Sequence, residues 1–253
     1  MKIEGNTVFI AGGSSGIGFE IAKIFIKNSN KVIISGRNQD KLEAAKKLLP
    51  ELHLMKCDVS KVEEITILTG QLIAAYPNLN IVINNAALAF NYNLAQSKDA
   101  YLKAEAEIET NYLAAVNLNE LLLPHLHKQD YAAIVNVTSI VAYLPNPVAP
   151  SYSASKAALH AYTLCLRTAV AHLGMKVFEL MPSTVNTPFS KDRNGKNGLS
   201  PADVALALLD GLADDRVEIH VGKSWAVLQQ FLKKPSLSLF SLIIKYRSGL
   251  FKR

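Results

Sequence analysis

Thr7-Val-Phe-Ile-Ala11, followed by Gly12-Gly-Ser14-Ser15-Gly16-Ile17-Gly18, is the stretch that decides the fold. The first five residues are a short apolar run of the kind that forms a strand buried on both faces. After the glycines, Phe19, Ile21, Ala22, Ile24, Phe25 and Ile26 recur at helical spacing. Lys31-Val-Ile-Ile-Ser35 then reads as a second strand, which completes a β-α-β unit. A glycine-rich turn between strand and helix lets backbone N–H groups approach a pyrophosphate at the helix N-terminus. The spacing is Gly-x-x-x-Gly-x-Gly, not the commoner Gly-x-Gly-x-x-Gly, and the alternative reading is a tight strand–helix turn without a ligand.

Outward from this unit the alternation continues. A helix is predicted over 39–49 and a strand over Leu52–Lys56, then a helix over Val62–Tyr76 and a strand over Asn80–Asn84. Residues Ser97–Lys128 read as one long, mostly helical stretch. Ala132–Val137 is the fifth strand, followed by a helix over Tyr152–Leu173 that opens near Ser151. Lys176–Met181 is the sixth strand and Arg216–Val221 the last. Between them Ser200-Pro201 starts a helix over Ala202–Ala213 as N-cap and first position. Ser190–Gly198 is polar and contains glycine, which predicts a mobile loop over the site. Strands alternating with helices predict an α/β fold, a single doubly wound parallel sheet of about seven strands. Ligands of such sheets sit at the carboxyl ends of the strands.

Three of those strand ends carry residues suited to chemistry. The second ends in Ser35-Gly-Arg37-Asn38 with no acid. A carboxylate there would suit the ribose 2′-hydroxyl of NAD, whereas an arginine accommodates the 2′-phosphate of NADP, so NADP(H) is favoured over NAD(H). The bland reading of Arg37 is a solvated residue at a helix start. Past the third strand, Asp58 either meets an adenine edge or forms a turn with Ser60. After the fifth strand come Ser139 and, on the following helix, Tyr152 and Lys156, four residues apart and so on one face. A hydroxyl, a phenol and an ammonium converging at a strand end suit proton transfer to a carbonyl oxygen. Asn111 in a helix interior is mildly unfavourable, which hints at a task.

The 253 residues, 49% hydrophobic and 19% charged, suit one globular α/β domain and exclude disorder. Cys57 and Cys165 stand far apart, and His125-x-His127 has no third ligand nearby. No metal site and no disulfide scaffold are expected, which fits a reducing compartment. The N-terminus runs straight into a strand with no signal peptide, so a cytoplasmic protein is expected. Seven of the 27 basic residues, and no acid, lie from Lys223 onward. The net charge of +6 therefore belongs to the tail, and no nucleic-acid surface is expected.

Taken together, the glycine motif, Asp58, Asn84-Asn85-Ala86, Asn111, Ser139, Tyr152-x-x-x-Lys156 and Pro182…Val185…Thr187 resemble the short-chain dehydrogenase/reductase family in order and spacing. The resemblance covers residues 5–222, and within the family it is most similar to bacterial DltE-type oxidoreductases. It implies a Rossmann-type catalytic domain over 1–222 with a helical extension over 223–253. The implied activity is NADP(H)-dependent interconversion of a carbonyl and a secondary alcohol. Tyr152 would be the general acid or base, and Lys156 would lower its pKa and bind the ribose. Ser139 would orient the substrate oxygen, and Asn111 would hold a water in a proton relay. Gly12, Ser14, Ser15, Gly16, Ile17, Gly18, Arg37, Asp58, Val59, Asn85, Ala86, Pro182, Val185 and Thr187 would bind the cofactor beside Tyr152 and Lys156. A homodimer or homotetramer is implied as well. Three positions depart from the family pattern: Ala11 replaces a threonine, and Ala87 and Ser183 replace glycines. The last two need a negative φ.

The tail alternates apolar and basic residues around Pro235, which predicts two amphipathic helices. Their apolar faces either pack on the core or a second subunit, or rest on an anionic membrane surface as a peripheral contact. The substrate pocket is expected between Leu88–Tyr92, Tyr143–Pro147 and Phe189–Gly198, with the tail as a further candidate wall, whose apolar residues suggest a lipophilic molecule. A dinucleotide-sensing binding protein on the same fold is the rival class. The presence of all of Asn111, Ser139, Tyr152 and Lys156 favours the enzyme.

Overall fold

The computed structural model describes residues 1–193 and 195–233, and of Asp192 and Arg193 the backbone alone. Seven strands form one sheet: β1 (Thr7–Ala11), β2 (Lys31–Gly36), β3 (His53–Lys56), β4 (Leu79–Asn84), β5 (Ala133–Val137), β6 (Lys176–Pro182) and β7 (Glu218–Val221). Their order is β3-β2-β1-β4-β5-β6-β7 and every pairing is parallel. The chain reverses its direction of travel between β1 and β4, so their carboxyl ends open the crevice in which such sheets bind ligands.

The helices are α1 (Gly16–Lys27), α2 (Gln39–Leu48), α3 (Val62–Ala75), α4 (Ala100–Ile108), α5 (Ala114–Leu126), α6 (Pro150–Val170), α7 (Pro201–Ala213) and α8 (Ser224–Lys233). Strand side chains alternate between the two sheet faces. Val8, Ile10, Val32, Ile34, Val135 and Phe178 pack with residues of α1, α2 and α7 on one face. Phe9, Ile33, Val82, Ile134 and Val177 pack with α3, α5 and α6 on the other. Both faces are dry, which explains why the strands read as apolar runs instead of alternating ones.

The predicted long helix over 97–128 is not continuous. It divides into α4, a π turn over Glu109–Leu113 and α5, and Asn111 sits in the π turn. Such turns widen the helix locally and recur at functional sites. The loop predicted over Ser190–Gly198 is also more structured than expected. It folds as 3-10 turns over Pro188–Arg193 and Gly195–Asn197. Leu199 then donates to the Thr184 carbonyl at 2.9 Å and accepts from Asn186 at 2.8 Å, which pins the loop to the exit of β6.

Of the tail, α8 accounts for the first predicted helix; Pro235 and the second lie outside the described residues. Leu228 of α8 is buried, while Trp225 and Leu232 are exposed. Among the described residues no helix is long and apolar enough to cross a membrane, and no group of His, Cys, Asp and Glu is placed to hold a metal ion.

Candidate active site

Gly12 and Gly16 have φ of 75° and 59°, in the left-handed region that favours glycine. A Cβ on Gly12 would lie 2.7 Å from the Ala86 Cα, and one on Gly18 only 2.4 Å from the Gly12 carbonyl oxygen. The turn is therefore closed tightly against the exit of β4. Asn85 holds it there, its amide donating to the Gly12 carbonyl at 2.8 Å. Helix α1 starts without a cap: Ser15 is extended, its side chain makes no capping bond, and no acid lies in the first turn. The N–H groups of that turn keep their hydrogens for a ligand, and Ser14, Ser15, Gly16 and Ile17 line a cavity of about 390 Å³. An uncapped helix start lining a cavity suits a phosphate.

The same cavity extends toward β2 and β3. Arg37, Asn38 and Lys41 line one wall, and Cys57, Asp58 and Val59 the other. Asp58 forms the turn anticipated as its alternative reading, accepting from the Ser60 N–H at 3.0 Å and the Ser60 hydroxyl at 2.8 Å. It lines the cavity all the same. Cys57 is buried, which pushes its thiol up to about 12 and leaves it unreactive. Beyond β4, Asn85 and Ala86 continue the wall, and Pro182, Val185 and Thr187 close it from the end of β6. Neither Ala87 nor Ser183 has a positive φ, so both are accommodated without strain.

At the far end the sheet supplies three successive residues of β5 and its exit, each with a different task. The Val137 carbonyl accepts from Lys156 Nζ at 2.7 Å. Thr138 turns inward, its hydroxyl donating to Glu179 Oε1 at 2.6 Å. Ser139 lines the cavity, and its hydroxyl caps the following turn by accepting from the Val141 N–H at 3.4 Å. Tyr152 stands in the first turn of α6, which Pro150 opens with its fixed φ. Its ring lies 5.8 Å from that of Phe189, and Lys156 Nζ is 5.8 Å from the ring centre. Lys156 is 2% exposed, and this burial pushes its ammonium down to about 8, with Glu179 opposing the fall. An ammonium has three hydrogens, and the bond to Val137 uses one.

Asn111 does not meet Lys156 directly. Its amide donates to the Leu88 carbonyl and the Ser155 hydroxyl, both at 2.8 Å, and accepts from the Leu88 N–H at 2.7 Å. It thus ties the chain leaving β4 to the helix that carries Tyr152 and Lys156. Glu107, one turn earlier and fully buried, makes a parallel tie by accepting from the Phe90 N–H at 2.6 Å and from the Ser151 hydroxyl. Beneath both lies an amide ladder: Asn84 donates to Asn136 at 2.8 Å and Asn119 at 3.0 Å, and Asn136 donates to Thr163 at 2.9 Å.

Next to Ser139 and Tyr152 the cavity is lined by Leu88, Ile140, Val141, Ala149, Pro188 and Phe189, with Thr110 and Asn146 as polar points. Leu88, Asn146, Phe189 and Ser190 come from the three expected segments. Tyr143 does not take part; its ring packs edge-on against His160 at 4.7 Å. Lys41, Thr110, Ile140 and Val141 escaped the sequence reading, because surface cations and apolar residues after a strand look alike wherever they lie. Glu179 escaped it too, although a carboxylate inside Val-Phe-Glu-Leu-Met is a signal in its own right.

The family described as short chain dehydrogenase matches residues 6–198. An uncharacterised oxidoreductase, DltE of Bacillus subtilis, is 40% identical over 224 residues, 87% of this chain and 89% of that protein. A short chain dehydrogenase of Burkholderia cenocepacia, solved in complex with NADP, superposes with a TM-score of 0.85 at 24% identity, covering 96% of this chain and 99% of the other. A short chain dehydrogenase/reductase of Burkholderia phymatum, solved in complex with NAD, gives 0.87 at 19% identity over 94% and 96%. At these identities the two structures support the fold and leave the nucleotide open.

Proposed function

The chain belongs to the short-chain dehydrogenase family of oxidoreductases, and from that premise we propose that it interconverts a carbonyl and a secondary alcohol with NADP(H). The observation that carries this reading is one continuous cavity with an uncapped helix start and two cations at one end and Ser139, Tyr152 and Lys156 at the other. The first-turn N–H groups of α1 would hold the pyrophosphate, and Arg37 with Lys41 would meet a 2′-phosphate that no nearby acid of β2 repels. Pro182, Val185 and Thr187 would hold the nicotinamide end. The bound nucleotide supplies the hydride chemistry.

The residues of this chain would manage the proton. Ser139, whose hydroxyl oxygen faces the Val141 N–H, keeps its hydrogen for the substrate oxygen. Tyr152 would donate a proton to that oxygen in reduction and take it back in oxidation. A free phenol titrates near 10, too high for ready exchange at neutrality, and the Lys156 ammonium one turn away favours the phenolate. The two lysine hydrogens not used by Val137 would serve the ribose hydroxyls. Asn111 would act through Ser155 and Leu88, and a proton relay to solvent would use a water beside them. The wall of Leu88, Ile140, Val141, Ala149, Pro188 and Phe189 contains no charged side chain, which favours a lipophilic carbonyl compound. Exposed Leu102, Leu113 and Leu164 on α4, the π turn and α6 favour a homo-oligomer.

The test is a screen of aldehydes and ketones of increasing chain length for NADPH oxidation, with NADPH binding followed in parallel by its fluorescence. Turnover that improves with chain length supports the reading. Binding of NADPH without turnover of any carbonyl compound would instead leave a dinucleotide-sensing protein.

A further inference from the structure

Tyr152, Lys156 and His160 succeed one another at four-residue intervals along α6, so His160 extends the stripe of the two site residues. Behind that stripe lies Glu179, in the middle of β6 and fully buried. Both of its carboxylate oxygens lie 2.9 Å from His160 Nδ1, which as the donor fixes the imidazole orientation. Its Oε1 also accepts from the Thr138 hydroxyl at 2.6 Å. The strand end that carries Ser139 and holds Lys156 through Val137 is thus tied, at Thr138, to a carboxylate in the protein interior. A carboxylate removed from water in this way has to be matched by neighbouring positive charge.

We propose that Glu179, clamped between His160 and Thr138, is a positioning residue that keeps Lys156 in its cationic form and fixes the strand end carrying Ser139. The inference rests on the reading of Lys156 given above. Burial drives the Lys156 ammonium toward its neutral form and Glu179 drives it back. The same carboxylate raises His160 from its ordinary value. When His160 is neutral, Glu179 presents its full negative charge to Lys156; when His160 is protonated, the pair cancels and the support weakens. Other groups face the pair from each side. Tyr143 packs on His160 from the turn after β5, and Arg167 lies further along α6. Glu218 and His220 come from β7, with Trp225 of α8 covering His220 at 5.1 Å. His220 is pushed down by burial, so it adds little charge to the cluster near neutrality.

The titration of Lys156 is read directly from the 13Cε signal of labelled lysine in the ligand-free full chain, assigned with Lys156→Arg. Three variants separate charge from shape. Glu179→Gln keeps an acceptor for Thr138 and a partner for His160 but loses the charge, and its Lys156 midpoint is expected to fall by at least about half a pH unit. His160→Lys, at a half-buried position, sets a permanent cation against Glu179 and is expected to move the midpoint the same way. His160→Gln leaves Glu179 charged, and the midpoint stays or rises. Midpoints unmoved in both Glu179→Gln and His160→Lys, or lowered in His160→Gln, overturn the proposal, and the His160 variants decide if Glu179→Gln fails to fold. In the active enzyme the alkaline limb of kcat is expected to follow the midpoint. A midpoint that falls while that limb stays in place would leave the role of Glu179 standing and remove the role of the Lys156 charge in turnover.

Discussion

The two ends of the cavity are built from different materials. Around β1, α1 and β2 the floor is backbone and glycine over Val8, Ile10, Val32 and Ile34, the cations Arg37 and Lys41 stand on one wall, and the carboxylate present, Asp58, is held in a turn by Ser60. Around β5, α6 and β6 the protein buries a lysine, two glutamates and a run of asparagines, held by side-chain and backbone hydrogen bonds that leave the Asn84 amide oxygen without a partner among the described residues. On the proposed reading the first end would hold a nucleotide by close approach and open N–H donors, with the charge of Arg37 and Lys41 confined to its rim. On the proposed mechanism the other end would have to change the acidity of a phenol, which charge held away from water can do. The contrast has a consequence for mutation: the first end should break by steric insertion, the second by loss of single atoms.

The largest effect is expected from one oxygen. Tyr152→Phe should lower kcat by at least about 10³-fold, within the range of general acid–base groups, while NADPH fluorescence titration shows nearly unchanged affinity. Comparable turnover in that variant would break the comparison at its catalytic end. Gly18→Ala places a Cβ 2.4 Å from the Gly12 oxygen and 2.5 Å from Asn85 Nδ2. It should weaken NADPH binding by about 10²-fold, or about 2.7 kcal/mol, in the same titration. Arg37→Asp installs the acid missing from β2 and should move the ratio of kcat/KM for NADPH over NADH by about 10- to 100-fold toward NADH. A ratio that stays put would transfer the phosphate contact to Lys41.

The smallest effect runs in the stabilising direction. Lys156 titrates near 8 in the folded chain against 10.5 in the unfolded one. Between those values the unfolded chain binds the extra proton, so stability rises with pH there; below about 8 the burial penalty is present in full. Lys156→Met should therefore unfold at a higher temperature than the parent at pH 7, by a few degrees. The gain should shrink as the pH is raised past 8. Calorimetry at pH 7 and 9.5 checks it, and a gain independent of pH would mean that packing and not charge is responsible.

The sequence made most of this architecture legible because a sheet buried on both faces writes its strands as apolar runs, and all seven were found within about two residues of their ends. The Gly12–Gly18 turn and the Tyr152–Lys156 pair were legible because steric and spacing rules act over a few residues. The π turn over Glu109–Leu113 was not: its sequence, Glu-Thr-Asn-Tyr-Leu, carries an ordinary helical pattern, and the widening follows from Asn111 bonding to Leu88 and Ser155 from elsewhere in the fold. Glu179 was passed over for the opposite reason. Its neighbours Val177, Phe178, Leu180 and Met181 announced a buried strand so clearly that the charge among them went unweighed. Why a carboxylate belongs there appears only when β5, through Thr138, and α6, through His160, arrive beside it.

The strand order bears on how the chain comes to be folded at all. Thr7 pairs with Lys31 on one side and with Leu79 on the other, so β1, an interior strand of the finished sheet, has only β2 beside it until the polypeptide through β4 exists. During synthesis the apolar edge of β1 therefore waits, unpaired, while α2, β3 and α3 are made. Contacts so distant in sequence also slow the closure of the sheet. A chain interrupted before β4 should be captured by chaperones or aggregate, whereas one interrupted after β5 already holds both β1 and β4 between neighbours.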